Sequence, residues 1–362
     1  MSIPSLADKV VRTCLRIGKE DRVSIFSWRH TIELAEAFAL ACQKAGAKTH
    51  LEVETDELYY HCVLDLPLEY IREVNPFSLA LLDVATANIY ISGPENPEKL
   101  RLITPERMGA MVEGDKPYSI RLVEKKIRSA QIELGYVTPQ RAKTYAFNYV
   151  KWKDDIQAAI DVDYKYIQGL GRKLGQMLEK ASEVCITAAN GTDLKLAMEN
   201  RPAHISDGVV DEEDIEKGDV FTALPAGEVA VVPKENSATG HIISDVPQVD
   251  SGLLIKDAKF AFKDGRLASI GGGQNTDVLK SRWLKAKGDK DQASVFMMGL
   301  NPKAHVGYTH NHIVLGSITL AVGDNREYGG KAETNFGAAI TIAQPSVEFD
   351  GKLVIRNGKP VP

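Results

Sequence analysis

The sequence predicts an α/β plus β-rich fold, with an N-terminal βαβ domain of mostly parallel sheet over residues 1–190 and a C-terminal β-rich domain over 191–362. Three observations lead there. A chain of 362 residues exceeds one ordinary core and suits two domains of common size. Its first half alternates short β-rich runs with amphipathic stretches. Its second half is a series of short strands broken by Gly, Pro, Asp and Asn.

RVSIF at 22–26 reads as a strand, Thr31 to Lys44 as an amphipathic helix, Gly46 as its C-cap and THLEVE as the next strand, which together make a βαβ unit. NIYISG at 88–93 repeats the strand signal until Pro94, and Thr104-Pro105-Glu106 opens a helix with proline in its first turn. QIELGY at 131–136 is a further strand, Thr138-Pro139 starts a short helix, and Asp161 to Lys180 carries apolar residues at helical spacing before the strand EVCITA. After the turn dipeptide Asn190-Gly191, the segments GEVAVVP, GHIISD, SGLLIKD, KFAFKDG, ITLAVG and PSVEFDGKLVIRNG read as hairpin strands with Asp-Gly and Asn-Gly turns. Asp211 to Asp219 reads as a solvated acidic turn. Gly271-Gly272-Gly273 reads as a loop crossing, because it lacks a P-loop lysine.

Hydrophobic residues at 44% and charged residues at 26% place the chain among globular proteins. A net charge of −5 argues against nucleic acid as a partner, since backbone binding needs clustered Lys and Arg. The N-terminus has no apolar run of signal-peptide length and no segment approaches a membrane span, so a cytoplasmic protein without membrane attachment is expected. Cys14, Cys42, Cys62 and Cys185 are scattered and read as small buried hydrophobes.

The stretch EVCITAANGTDLKLAMENRPAHISDGVVDEEDIEKGDVFTALPAGEVAVVP, with GLNPKAHVG, LAVGDNREYGGK and PSVEFDGKLVIRNGK further on, resembles the thermophilic metallopeptidases of the aminopeptidase T and aminopeptidase S type. The resemblance implies an aminopeptidase T-like C-terminal domain, a homodimer, and two metal ions that activate water for peptide hydrolysis. It also implies five ligand positions. Glu228 in AGEV matches the first, but Val295, Thr319, Gly337 and Ala339 occupy the other four. Val, Gly and Ala cannot coordinate a metal, and a threonine hydroxyl is a poor stand-in for imidazole. The single-iron site of the related ring-cleaving 2,5-dihydroxypyridine dioxygenases falls near the same positions and is missing as well.

Two replacement sites are open. His305, His310 and His312, beside Tyr308, can hold one divalent transition metal, zinc or iron, with Glu228 and Tyr308 in catalytic roles; the bland alternative is a polar loop and no metal. Lys234, Glu235, Asp324, Asn325, Arg326, Tyr328 and Asn335 can line a cleft for a small-molecule or peptide ligand; the alternative is that they are turn and surface residues. The expectation is a divergent aminopeptidase T-like protein. It is either a hydrolase of small peptide or amide-like substrates with a rebuilt metal centre, a non-catalytic binding homologue, or a single-metal enzyme of the dioxygenase-like branch.

Overall fold

The computed structural model describes residues 2–250 and 252–361; Ser251, the first residue of SGLLIKD, falls outside them. In chain order the strands are β1 (Arg22–Trp28), β2 (Lys48–Glu54), β3 (Ala87–Ile91), β4 (Arg128–Ile132), β5 (Glu183–Thr187), β6 (Asp193–Ala197), β7 (His204–Ser206), β8 (Phe221–Leu224) and β9 (Glu228–Val231). They continue as β10 (Ala238–Ile243), β11 (Gln248–Asp250), β12 (Leu253–Ile255), β13 (Ala258–Gly272), β14 (Ala293–Gly299), β15 (Ile318–Gly323), β16 (Gly337–Ile342), β17 (Ser346–Phe349), β18 (Lys352–Arg356) and β19 (Lys359–Pro360). Two compact units divide them. Unit 1 is Met1–Asp161 with Gly208–Ala226, and unit 2 is Val162–Asp207 with Gly227–Pro362.

This division differs from a single crossing at residue 190. β8, from the second half of the chain, adds in parallel to β4 in unit 1, whereas β5 of the EVCITA segment pairs antiparallel with β6 and β17 in unit 2. Local pattern identifies a strand; long-range register chooses its partner.

Unit 1 is the expected parallel sheet, in the order β2-β1-β3-β4-β8. One face is apolar, with Val23, Ile25, Ile89, Ile91, Ala130 and Ile132 buried, and the helix Ile32–Lys44 packs on β1 and β2. QIELGY is only partly strand: β4 ends at Ile132 and Glu133–Tyr136 tightens into a 3₁₀ turn. The acidic stretch is a helix and not a solvated turn. Asp211 caps Glu212–Lys217 through the Glu213 and Asp214 amides, Asp214 returns a bond to the Asp211 amide, and Gly218 closes it with φ at 85°. Its three leading carboxylates sit where the helix dipole favours them.

Unit 2 is antiparallel. A seven-stranded sheet runs β13-β10-β6-β5-β17-β18-β19, and a five-stranded sheet runs β16-β15-β14-β9-β7. The long helix begins at Tyr164, capped by Asp163, because a separate helix Tyr149–Ile160 ends just before it. It packs on β7 and β9, and Gly171 lets it approach, since a Cβ there would lie 2.6 Å from Ile205 Cγ2. Asp350-Gly351 and Asn357-Gly358 are hairpin turns with positive φ at both residues. Asp264-Gly265 is not: it kinks the continuous strand β13 opposite an irregularity at Ala238/Gly240. Cys14 and Cys42 are buried as expected, but Cys62 and Cys185 are only half-buried.

Candidate functional site

The five-stranded sheet of unit 2 has two unlike faces. Val229, Val231, Phe296, Met298, Leu320 and Ile340 alternate onto one face and are buried core. The intervening residues form the other face: His204 and Ser206 on β7, Glu228 and Ala230 on β9, Val295, Met297 and Gly299 on β14, Thr319 and Ala321 on β15, and Gly337, Ala339 and Thr341 on β16. Glu228 therefore shares a face with all four residues at the other family ligand positions.

Their chemistry and spacing do not suit a metal. Glu228 lies opposite Gly299, while Val295 is four residues further along β14, about 13 Å by strand rise. Val295 is buried, Thr319 Oγ1 and Thr341 Oγ1 hydrogen-bond to each other at 2.8 Å, and Gly337 and Ala339 bring no donor. Among the described residues no group of three His, Cys, Asp or Glu side chains is arranged to hold a metal ion. The donors present do not fit the two-metal centre.

The loop after β14 brings histidine to Glu228. Gly299 has no side chain because the Val314 carbonyl occupies that space; a Cβ would lie 2.0 Å from it. Asn301, fully buried, holds the turn by accepting from the Lys303 and Ala304 amides at 3.0 and 3.2 Å, and its own amide donates to the Ile313 carbonyl at 2.8 Å. The returning loop sets His312 Nε2 3.7 Å from Glu228 Oε2, and the His310 and His312 rings 6.0 Å apart. His310 is buried with Nδ1 2.9 Å from Thr309 Oγ1. His305 and Tyr308 sit earlier in the loop, with His305 exposed and Tyr308 half-buried, and the three histidines do not form the metal cluster that their sequence spacing allows.

Glu228 and His312 are close, but they are not an ion pair at neutral pH. Burial raises the Glu228 carboxyl to about 7, and its Oε2 is buried without a hydrogen-bond partner among the described residues. Although 37% of the His312 side chain is accessible, crowding by protein and then the neighbouring His310 push its pKa down. Mutual attraction would shift both groups the other way, and 3.7 Å is too long for a hydrogen bond. The pair is a neutral imidazole facing a carboxyl that exchanges its proton near pH 7.

The remaining cleft candidates separate. Glu235 pairs with Arg201, which holds its carboxyl below the usual range, and Lys234 is exposed. Asp324 grips Arg326 through both oxygens, with Nη2–Oδ2 at 2.7 Å, and Arg326 also reaches Glu333 at 2.8 Å. Asn325 is buried and accepts the Ala332 amide at 2.8 Å, shaping the turn. Asn335, exposed, accepts the Lys287 amide at 3.0 Å. Tyr328 meets the His204 ring edge to face, with centroids 5.5 Å apart. His204 reads as an isolated structural residue in sequence. Its only sequence signal is its alternation with Ser206, which the register turns into a place beside Ala230 and diagonal to Glu228.

Known proteins resemble this chain in sequence or in fold. Aminopeptidase AmpS of Bacillus subtilis (strain 168) is 28% identical over 126 residues, which cover 34% of this chain and only 29% of the length of AmpS. Wild-type AmpT from Thermus thermophilus superimposes with a TM-score of 0.74 at 15% identity, covering 99% of both chains. The 2,5-dihydroxypyridine dioxygenase from Pseudomonas putida KT2440 superimposes with a TM-score of 0.63 at 15% identity, covering 99% of this chain and 96% of the other. At such identities these two structural likenesses speak for the fold alone. No helix among the described residues is long and apolar enough to cross a membrane. The profile of the thermophilic metalloproteases (M29) matches residues 2–288, a span that contains Glu228 and ends before Val295. The chain belongs to the thermophilic metalloprotease (M29) family.

Proposed function

We propose that this chain is a diverged M29 protein that binds a small peptide or amide-like ligand on the Glu228 face of its five-stranded sheet, as a homodimer, without the two-metal hydrolytic centre implied by the family resemblance. The observation that carries the reading is that Val295, Thr319, Gly337 and Ala339 share the Glu228 face and offer neither carboxylate nor imidazole. Zinc and similar ions need several such donors at fixed geometry, and the residues present cannot supply them. What remains suits binding. A carboxyl that titrates near pH 7 and a neutral imidazole 3.7 Å away can meet the N–H and C=O of an amide. As a lone general base Glu228 contributes about 10²–10⁴-fold, far below what amide hydrolysis requires. The dioxygenase-like alternative meets the same residues and gains nothing from them.

Leucine amide, assayed with added zinc, cobalt or manganese, is expected to show no turnover above the metal-only blank. Robust turnover that is abolished by Glu228→Ala and by a chelator, yet untouched by His310→Ala and His312→Ala, would overturn the reading.

A further inference from the structure

The parallel sheet of unit 1 also has two unlike faces, and the second is not built as core. Opposite the buried face with Ile25 and Ile89, a row of side chains crosses four strands in register: Glu52 on β2, Phe26 on β1, Tyr90 on β3 and Gln131 on β4. All four are half-exposed although β1, β3 and β4 are interior strands. On β1 and β3 the same-face residues on either side of the row are buried, Ser24 and Asn88 below and Trp28 and Ser92 above, as is Ser129 below on β4, whereas on β2 His50 is exposed and Glu54 half-buried. A partly accessible row that is bounded by buried residues over β1 and β3 and open at β2 is the floor of a groove, about 14 Å long at the usual strand spacing.

The helix Pro105–Glu124 of the same unit packs on the short helices Leu68–Arg72 and Pro76–Leu82. Gly114 lets it approach the backbone of Ile71, where a Cβ would lie 2.3 Å from the carbonyl oxygen. Burial first, then the charges of Glu52 and Asp115, push the Tyr118 hydroxyl up to about 12, and Asp115 is among the charges that raise Tyr90. The floor itself is aromatic. Phe26 and Tyr90 stack with centroids 5.2 Å apart and planes 15° from parallel, and Trp28 stands edge-on to Phe26 at 6.2 Å. Arg141, a buried cation of the same unit, is already engaged, donating to the Pro94 carbonyl at 2.7 and 3.1 Å and lying 4.5 Å over the Tyr136 ring.

Two further observations point to a ligand. Trp28 Nε1 and Ser92 Oγ are buried, have no hydrogen-bond partner among the described residues, and stand at the carboxyl ends of the neighbouring strands β1 and β3. Unsatisfied buried donors are uncommon and call for an acceptor. Those strand ends are also the topological switch point of the sheet, because the chain leaves β1 toward β2 on one side and returns to β3 on the other. Open α/β sheets bind ligands in the crevice at that point.

We propose that unit 1 carries a ligand site of its own, a groove over the Glu52–Phe26–Tyr90–Gln131 row that takes a small aromatic amine bearing a hydrogen-bond acceptor. The ammonium lies against Glu52, where the carboxylate and the neighbouring aromatic faces both attract it. The ring lies on the Phe26–Tyr90 pair. The acceptor meets Trp28 Nε1 and Ser92 Oγ directly or through one water. This proposal concerns residues of unit 1 alone and does not depend on the function proposed for the Glu228 face of unit 2.

Calorimetric titration of the full-length protein with tyramine at pH 7.5 tests it, with 4-hydroxyphenylacetate as the probe of opposite charge. Saturable binding of tyramine below about 1 mM is expected, with the acid at least about ten-fold weaker. Glu52→Gln, on a half-exposed strand position, is expected to weaken tyramine by at least about ten-fold, and Glu228→Gln to leave it unchanged. Absence of saturation, equal binding of acid and amine, indifference to Glu52→Gln or loss on Glu228→Gln would each overturn the proposal.

Discussion

Glu228→Gln is expected to stabilise the protein by roughly 3 kcal/mol at pH 8 and to change little at pH 4. The Glu228 carboxyl is raised by burial from 4.5 to about 7 in the folded chain, and only 15% of the side chain is exposed, so little of the effect is screened. A raised acid favours folding while it is protonated in both states. That contribution is complete below about pH 4.5 and is lost as pH rises to about 7, at about 1.36 kcal/mol for each pH unit crossed. Glutamine keeps the shape without the charge, so the gain should appear across that window and level off above it. Urea denaturation at pH 4, 6 and 8 measures it. A glutamine variant less stable than the parent at pH 8 would mean that a cation holds the carboxylate and that Glu228 is not an isolated buried acid.

Arg128→Ala is expected to destabilise unit 1 by about 3–5 kcal/mol. Arg128 lies at the amino edge of the parallel sheet, where it donates to the carbonyls of Leu15 and Arg16 at 2.6 and 3.0 Å and pairs with Asp21. Side-chain exposure is 16% for Arg128 and 12% for Asp21. Asp21 also accepts from Thr86 Oγ1 at 2.7 Å and from the Gly18 amide at 2.8 Å, so the network ties together the entries to β1, β3 and β4. Truncation leaves a carboxylate in the protein with two weaker donors and two carbonyls without their partner. Urea denaturation of the variant at pH 7 measures the loss. A change below about 1 kcal/mol would place the pair with ordinary surface ion pairs.

Much of the architecture is legible because short-range chemistry writes it. Thr31 to Lys44, the Thr104 and Thr138 caps, and the Asp350-Gly351 and Asn357-Gly358 turns follow from periodicity, capping and left-handed backbone preference. The Asp211 helix was hidden because its acidic composition suggests solvent, although Asp211 and Asp214 spell a cap. Asp264-Gly265 carries the same letters as a hairpin turn and makes a kink, since the strand β13 runs on through it to Gly272. Strand partners were the least visible feature. Nothing local assigns β8 to the parallel sheet or β5 to the antiparallel one.

At the site, the residues at the family positions could be read by counting from neighbouring motifs, and the register places all four on the Glu228 face. The proximity of His312 to Glu228 could only be suspected, because it depends on Gly299 yielding its space to Val314. Arg201 as the partner of Glu235, and His204 against Tyr328, join segments far apart in sequence.

The most direct test of the central claim is the metal content of protein expressed with added zinc, cobalt or manganese and then dialysed without chelator, measured by plasma mass spectrometry. The donor set around Glu228 predicts well under one transition-metal ion per chain, with no change on Glu228→Gln. Two ions held per chain, and lost on Glu228→Gln, would contradict it.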